Sequence, residues 1–421
     1  MLPLQKPLRI ALVCLHTSPG TDPGADDAGG MNVVVRHQAE ALGALGHSVT
    51  ILTRRASAAQ AAREQLAPGV TLQFLDAGPA VPVSKGKHEA LIGEFSDKIA
   101  ALEPFDIIHS HHWFSGMAAL PVARRWNIPH VQSFHSIAAD DSTPLSAGER
   151  AESPGRMLGE AWLARESDVL VAISAAEAAT ITGRLGGAVE RISVVWPGVD
   201  CTTFTPVAGA DSEEFGESET GFVLVAARLE PLKGLDLAVT AVAAMPVGIR
   251  PTLVVAGAAS ADYAGYVDQL RALAESVGLT KQFRLVGAQS RNDLASLFRG
   301  ARLVLVPSHS ETFGLVALEG AASGVPVIAA ASGGLREAVV DGVTGLVLES
   351  RDPLVWADAL SGILVDRPRA RQLSLAARKH ALELDWTRSA QALLTVYRKL
   401  LDTRTPERGS TGTLPHQSAV A

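Results

Sequence analysis

The chain has 421 residues, 47% of them hydrophobic, which exceeds what one core usually serves, so two domains are expected. A formal net charge of -7 argues against a nucleic-acid partner, which would call for a strong basic footprint. Two cysteines, Cys14 and Cys201, form neither a disulfide framework nor a metal cluster, and both are expected to be reduced and structural.

The first apolar run, 10–15, is short, follows Arg9 and leads directly into domain sequence, so it reads as a β-strand and not as a leader. No stretch reaches the roughly 18 to 20 apolar residues that a membrane span requires, and the expected location is the cytoplasm. Next come His16-Thr17-Ser18-Pro19 and a loop through Asp27-Ala28-Gly29-Gly30-Met31-Asn32, with a helix expected over about 33–45. Strand, glycine-rich loop and helix start together make an anion site, because backbone N–H groups and the helix dipole point at the ligand. A plain turn is the bland alternative. The sharp one is a dinucleotide-binding fold, but Gly29-Gly30 lacks the Gly-x-Gly-x-x-Gly pattern. The second strand, 48–52, is followed by Thr53-Arg54-Arg55 where NAD binding wants an acid, although an arginine there would suit an NADP phosphate.

Strand-like runs at 107–109 and 169–173 alternate with helical patterns, and the series restarts at 222–226, 251–256 and 303–306. Such alternation predicts βαβ units and parallel sheets, an α/β class. The restart follows the acidic stretch 208–220, which places the boundary between domains 1–205 and 206–385. Residues 386–402 keep apolar side chains at helical spacing, predicting an amphipathic helix docked on a domain surface, and 403–421 reads as a tail.

In the second half, Arg228-Leu229-Glu230-Pro231-Leu232-Lys233-Gly234 follows a strand and holds two cations that could reach one diphosphate; solvation of either alone is the bland reading. The run 301–307 predicts a strand buried on both faces. After it, Ser308-His309-Ser310-Glu311-Thr312-Phe313-Gly314-Leu315-Val316-Ala317-Leu318-Glu319 sets two carboxylates eight residues apart where that strand turns into a helix. Ligand crevices of open α/β sheets lie beyond the strands' carboxyl ends, although a carboxylate near a helix start also complements the dipole. No Asp-x-Asp motif suggests a metal-held diphosphate.

The Glu-x7-Glu spacing, the Gly333-Gly334-Leu335-Arg336-Glu337 run, Ile108-His109-Ser110-His111-His112-Trp113 and Val194-Val195-Trp196-Pro197-Gly198-Val199-Asp200 carry a resemblance. From about 9 to 400 the chain resembles the family-4 retaining glycosyltransferases, in particular those of mycothiol biosynthesis that move N-acetylglucosamine from UDP onto 1D-myo-inositol 3-phosphate. The resemblance implies a GT-B fold of two facing Rossmann-like domains, acceptor on the first and donor on the second, with the C-terminal helix crossing back. It implies a UDP-sugar co-substrate, a small phosphorylated acceptor, no other cofactor and no metal. Arg228 and Lys233 would hold the diphosphate, Gly30 would contact it from the other domain, Glu319 would bind the ribose and Glu311 the transferred sugar. Phe313, Gly314 and Leu315 would complete that donor loop, and His135, in Ser133-Phe134-His135-Ser136, would lie beside the sugar.

For the acceptor, Lys85, His112, Ser136 and Arg156 would surround the phosphate, while His16, Asp27, Gly29 and Asn32 would address the inositol. Two positions depart from the family pattern: His112 replaces a tyrosine, and Gln289 stands where an arginine meets the uracil. A different donor sugar or acceptor, a sugar-nucleotide epimerase and a non-catalytic binder remain alternatives. A homodimer also stays open.

Overall fold

In a computed structural model, residues 6–21, 29–138, 154–206, 221–259, 263 and 265–404 are described. The expected boundary stretch 208–220 lies outside them, as does the tail beyond 404. The first half runs β1 (Arg9–Cys14), α1 (Gly30–Ala44), β2 (Ser48–Arg54), β3 (Arg63–Ala67), β4 (Val70–Leu75), α2 (Ile92–Ala100), β5 (Ile107–His111), α3 (Trp113–Trp126), β6 (His130–Ser133), α4 (Pro154–Glu166), β7 (Val169–Ala172), α5 (Ala175–Leu185) and β8 (Ile192–Val194). The second runs β9 (Phe222–Ala226), α6 (Leu235–Ala244), β10 (Thr252–Ala256), α7 (Tyr266–Ser276), β11 (Phe283–Gly287), α8 (Arg291–Gly300), β12 (Leu303–Val306), α9 (Leu315–Ala322), β13 (Val327–Ala330), α10 (Leu335–Ala338) and β14 (Gly345–Leu348). Helices α11 (Pro353–Val365), α12 (Arg367–Glu383) and α13 (Trp386–Arg404) close the chain.

Two sheets result, in the orders β3-β4-β2-β1-β5-β6-β7-β8 and β11-β10-β9-β12-β13-β14. All pairings are parallel except β3 with β4, an antiparallel edge hairpin that the expectation of parallel sheets did not include. The exposure of β3 and the alternating burial of β4 mark a strand pair with one face in water, unlike β1 and β12, whose continuous apolar runs are buried on both faces. In each sheet the order reverses beside the first strand, between β1 and β5 and between β9 and β12, and there the loops part to leave a crevice.

Helix α1 starts at Gly30, three residues before the expected start, because the Gly29 carbonyl already accepts the N–H groups of Asn32 and Val33. Two glycines shape the loops of the second half at the crevice. Gly234 (φ +64°) and Gly314 (φ +108°) cap α6 and α9 in the left-handed region, where a Cβ would run into Pro307 O and Leu335 Cδ2 respectively. Helix α13 returns to the first half: Ala390, Leu393, Leu394 and Tyr397 are buried with Ile10, Leu12, Val35 and Ile51, and Gln38 Nε2 donates to Ser389 Oγ at 3.1 Å. Among the described residues no helix is long and apolar enough to cross a membrane.

Candidate active site

Loops at the carboxyl ends of both sheets line one cleft of about 750 Å³. Every predicted site residue lines it except Asp27, which lies outside the described residues, and Lys85, of which only the backbone in a 3-10 turn is described. His16, Gly29, Gly30, Asn32, His112, His135, Ser136 and Arg156 come from the first half. Arg228, Lys233, Gln289, Glu311, Phe313, Gly314, Leu315 and Glu319 come from the second.

On the wall from the second half each cation already faces a carboxylate. Lys233 Nζ lies 2.6 Å from Glu311 Oε1, which also accepts from Ser308 Oγ at 3.0 Å, and Arg228 Nη2 lies 3.2 Å from Glu230. A bound diphosphate would therefore share these cations with the carboxylates, and the lysine would arrive pre-positioned. Glu319 sits in the second turn of α9, and burial pushes its carboxyl up to about 7, against the pull of Arg291 3.5 Å away. Arg291, whose guanidinium also lies 4.9 Å from the Phe204 ring centroid, lines the cleft and escaped the sequence reading. The signal was available: a cation at the first position of α8 opposes the helix dipole, which implies an anionic partner elsewhere. Gln289 turns its amide nitrogen back onto its own loop, donating to Val286 O at 2.8 Å.

On the wall from the first half, Arg156 Nη2 donates to Ser136 O at 3.0 Å and to Ser136 Oγ at 3.2 Å. Its Nε donates to Glu160 at 2.8 Å, so this predicted phosphate ligand is also half of a buried ion pair. Asn32 Nδ2 donates to Thr17 Oγ1 at 2.9 Å and Ser18 O at 2.8 Å, folding the glycine loop back on the strand end. Its Oδ1 is buried with no hydrogen-bond partner among the described residues. The His112 and His16 rings stand 4.3 Å apart, and His112 holds φ +69° and ψ 155°, a strained conformation of the kind that concentrates at functional sites. Arg54, one of the arginines at the end of β2 that would suit an NADP phosphate, is instead buried and donates to the carbonyls of Arg55, Pro79 and Val81.

Contacts also tie the two halves together. Thr312 Oγ1 donates to His135 O at 2.7 Å. The Glu337 carboxylate accepts the N–H groups of Ala175 (2.9 Å) and Ala176 (3.1 Å) at the start of α5, and Trp196 Nε1 at 2.9 Å. Beneath the cleft a buried network links Tyr397 Oη to His109 Nδ1 (2.7 Å), His109 Nε2 to Ser133 Oγ (2.9 Å), and His111 Nδ1 to His135 Nε2 (2.8 Å). Burial holds His111 well below the usual imidazole range and takes His135 down to about 3, so both rings are neutral.

Two Rossmann-like halves facing across such a cleft define a glycosyltransferase of the GT-B class, which takes its sugar from a nucleotide. A family model described as "Glycosyl transferases group 1" matches residues 210–380, and one described as "Glycosyl transferase 4-like domain" matches residues 29–198. The chain belongs to this glycosyltransferase family. It is 40% identical to a D-inositol 3-phosphate glycosyltransferase of Frankia alni over 92% of this chain and 98% of that protein. It is 38% identical to a protein of the same description in Mycobacterium avium, over 97% of this chain and 98% of that one. Among solved structures, sucrose-phosphate synthase from Thermosynechococcus elongatus superposes with a TM-score of 0.85 at 26% identity, over 94% of this chain and 100% of that chain. The Anabaena protein HepE, solved in complex with UDP and glucose, shares the fold at 19% identity, with a TM-score of 0.71 over 94% of this chain and 99% of its own.

Proposed function

We propose that this chain transfers N-acetylglucosamine from UDP to 1D-myo-inositol 3-phosphate with retention of configuration. The observation that carries the reading is one cleft with Lys233–Glu311 on one wall and Ser136–Arg156 on the other, a cation set for each of two phosphorylated substrates. The relatives' description as D-inositol 3-phosphate glycosyltransferases supports the acceptor, and the UDP complex of HepE supports the nucleotide.

In this reading the donor lies along the second domain, with its ribose at Glu319, its diphosphate at Arg228, Lys233 and Gly30, and its sugar hydroxyls at Glu311. Gln289, Phe313, Gly314 and Leu315 complete the donor wall. Arg156, Ser136, His112 and Lys85 take the acceptor phosphate, and His16, Asp27, Gly29 and Asn32 take the ring hydroxyls. As the bond from the anomeric carbon to the UDP oxygen breaks, negative charge grows on the diphosphate, where the two cations stabilise it more than they stabilise the bound donor. The acceptor oxygen bonds to the anomeric carbon on the face that UDP leaves, and its proton passes to the departing phosphate. The Glu337 and Thr312 contacts between the halves support a closed state that excludes water. The domain division is read as 1–205 and 206–385, with 386–402 returning to the first.

The product's mass and its anomeric proton coupling test this together. A gain of one N-acetylhexosamine with an α-coupling supports the assignment, and a β-coupled product overturns retention. A different phosphorylated acceptor is the second reading, favoured by His112 in place of the family's tyrosine.

A further inference from the structure

A hydroxyl that faces a main-chain carbonyl has only one way to bond, because the carbonyl cannot donate. Thr312 Oγ1 therefore gives its proton to His135 O, 2.7 Å away and 177 positions back in the chain. Both residues line the cleft, whereas the Glu337 contacts with Ala175, Ala176 and Trp196 lie outside its lining.

On each side the bond ends in a loop with little freedom. In the second half, Gly334 N donates to Glu311 O at 3.0 Å, and a Cβ on Gly334 would stand 2.3 Å from Thr312 O, so this loop lies directly on the Gly333-Gly334 turn. The Glu311 carboxylate, one residue from Thr312, is fixed by Lys233 and Ser308. In the first half, His135 keeps φ +59°, which a non-glycine residue holds only where its surroundings fix it. Next to it Arg156 Nη2 holds Ser136 at both oxygens, and Glu160 Oε2 accepts from Ala138 N at 2.9 Å. Loops held at several points shift as units, so a displacement of His135 reaches Ser136 and one of Thr312 reaches Glu311.

We infer that Thr312 is a positioning residue for transfer: its hydroxyl locks the Glu311 loop to the Ser136 loop and so fixes how far apart the two substrates lie. The inference rests on the proposed placement of the transferred sugar at Glu311 and of the acceptor phosphate at Ser136 and Arg156. A misplacement of about 1 Å between reacting atoms can cost about 100-fold in rate, so a bond that sets their separation acts on the chemical step.

Thr312→Val keeps the shape of the side chain and deletes the hydroxyl, while Thr312→Ser keeps the hydroxyl, so the pair separates the bond from the packing. With UDP-N-acetylglucosamine and 1D-myo-inositol 3-phosphate, Thr312→Val in the full chain should lose about 10- to 100-fold in kcat, with the donor KM shifted by less than about threefold. Thr312→Ser should stay within about threefold of the parent. Wild-type kcat in Thr312→Val would overturn the inference, and so would a Thr312→Ser enzyme no faster than Thr312→Val. A second measurement needs no turnover. Amide hydrogen exchange of residues 133–138, read by mass spectrometry on substrate-free protein, should quicken about threefold or more in Thr312→Val and not in Thr312→Ser. Unchanged exchange in Thr312→Val would overturn the coupling whatever the substrates are. If the unmodified chain transfers no sugar to this acceptor, the functional reading fails, and the exchange result alone decides whether the two loops are coupled.

Discussion

Tyr397→Phe removes one hydroxyl proton and almost no volume from a fully buried position, so its effect reports a single hydrogen bond. That proton goes to His109 Nδ1 at 2.7 Å. The other nitrogen of His109 is committed to Ser133, so the ring cannot switch tautomer without breaking a second bond. The variant therefore leaves a buried lone pair unmet, which costs about 1–3 kcal/mol. For a domain of about 200 residues each kcal/mol moves the midpoint by about 2–4 °C, so a fall of roughly 2–12 °C in the transition of the first half is expected. Differential scanning calorimetry of the full chain measures it. A variant melting within 1 °C of the parent would refute the argument that α13 is clipped to the sheet through this bond.

Three further outcomes are expected. Lys233→Ala should lower kcat by about 10²–10³ with the fold intact, since it removes the cation that meets developing charge; near-normal turnover would reject its role. Glu319 holds its proton up to about 7 when folded, against an ordinary 4.5, so its stabilising contribution is complete below pH 4.5 and is lost as pH rises through 7. Glu319→Gln should flatten that loss by on the order of 3 kcal/mol above pH 7, leaving the similar slope from buried Glu177, whose carboxyl burial also raises to about 7. Urea denaturation at pH 5 and pH 8 checks this, and an unchanged pH dependence would contradict it. Glu337→Ala deletes three contacts between the halves at a partly exposed site, a loss of about 1–3 kcal/mol from the closed form. Small-angle scattering should show a larger radius of gyration, and an unchanged radius together with an unchanged donor KM would count against it.

The strands that carry the site were legible because strands buried on both faces are short unbroken apolar runs, as in Leu303-Val304-Leu305-Val306. Strand β6 was not, although it is equally buried, because His130-Val131-Gln132-Ser133 is mostly polar. Its polar side chains find partners in other segments: the His130 ring meets Ser110 and Ser167, and Gln132 Nε2 donates to the His112 carbonyl. A pattern of apolar residues cannot reveal such pairings. Strand β11 sits at the sheet edge, half in water, and lacks the apolar signature for the opposite reason. In the site, Glu311 and Glu319 were legible as a local spacing. Their partners Lys233 and Arg291, and the His111–His135 contact, join residues 24 to 78 positions apart and emerge only once the sheets assemble.

UDP release from UDP-N-acetylglucosamine by the purified chain, with and without 1D-myo-inositol 3-phosphate, tests the central claim most directly. The account predicts release that depends strictly on the acceptor. Equal release in both conditions, or none in either, would contradict it.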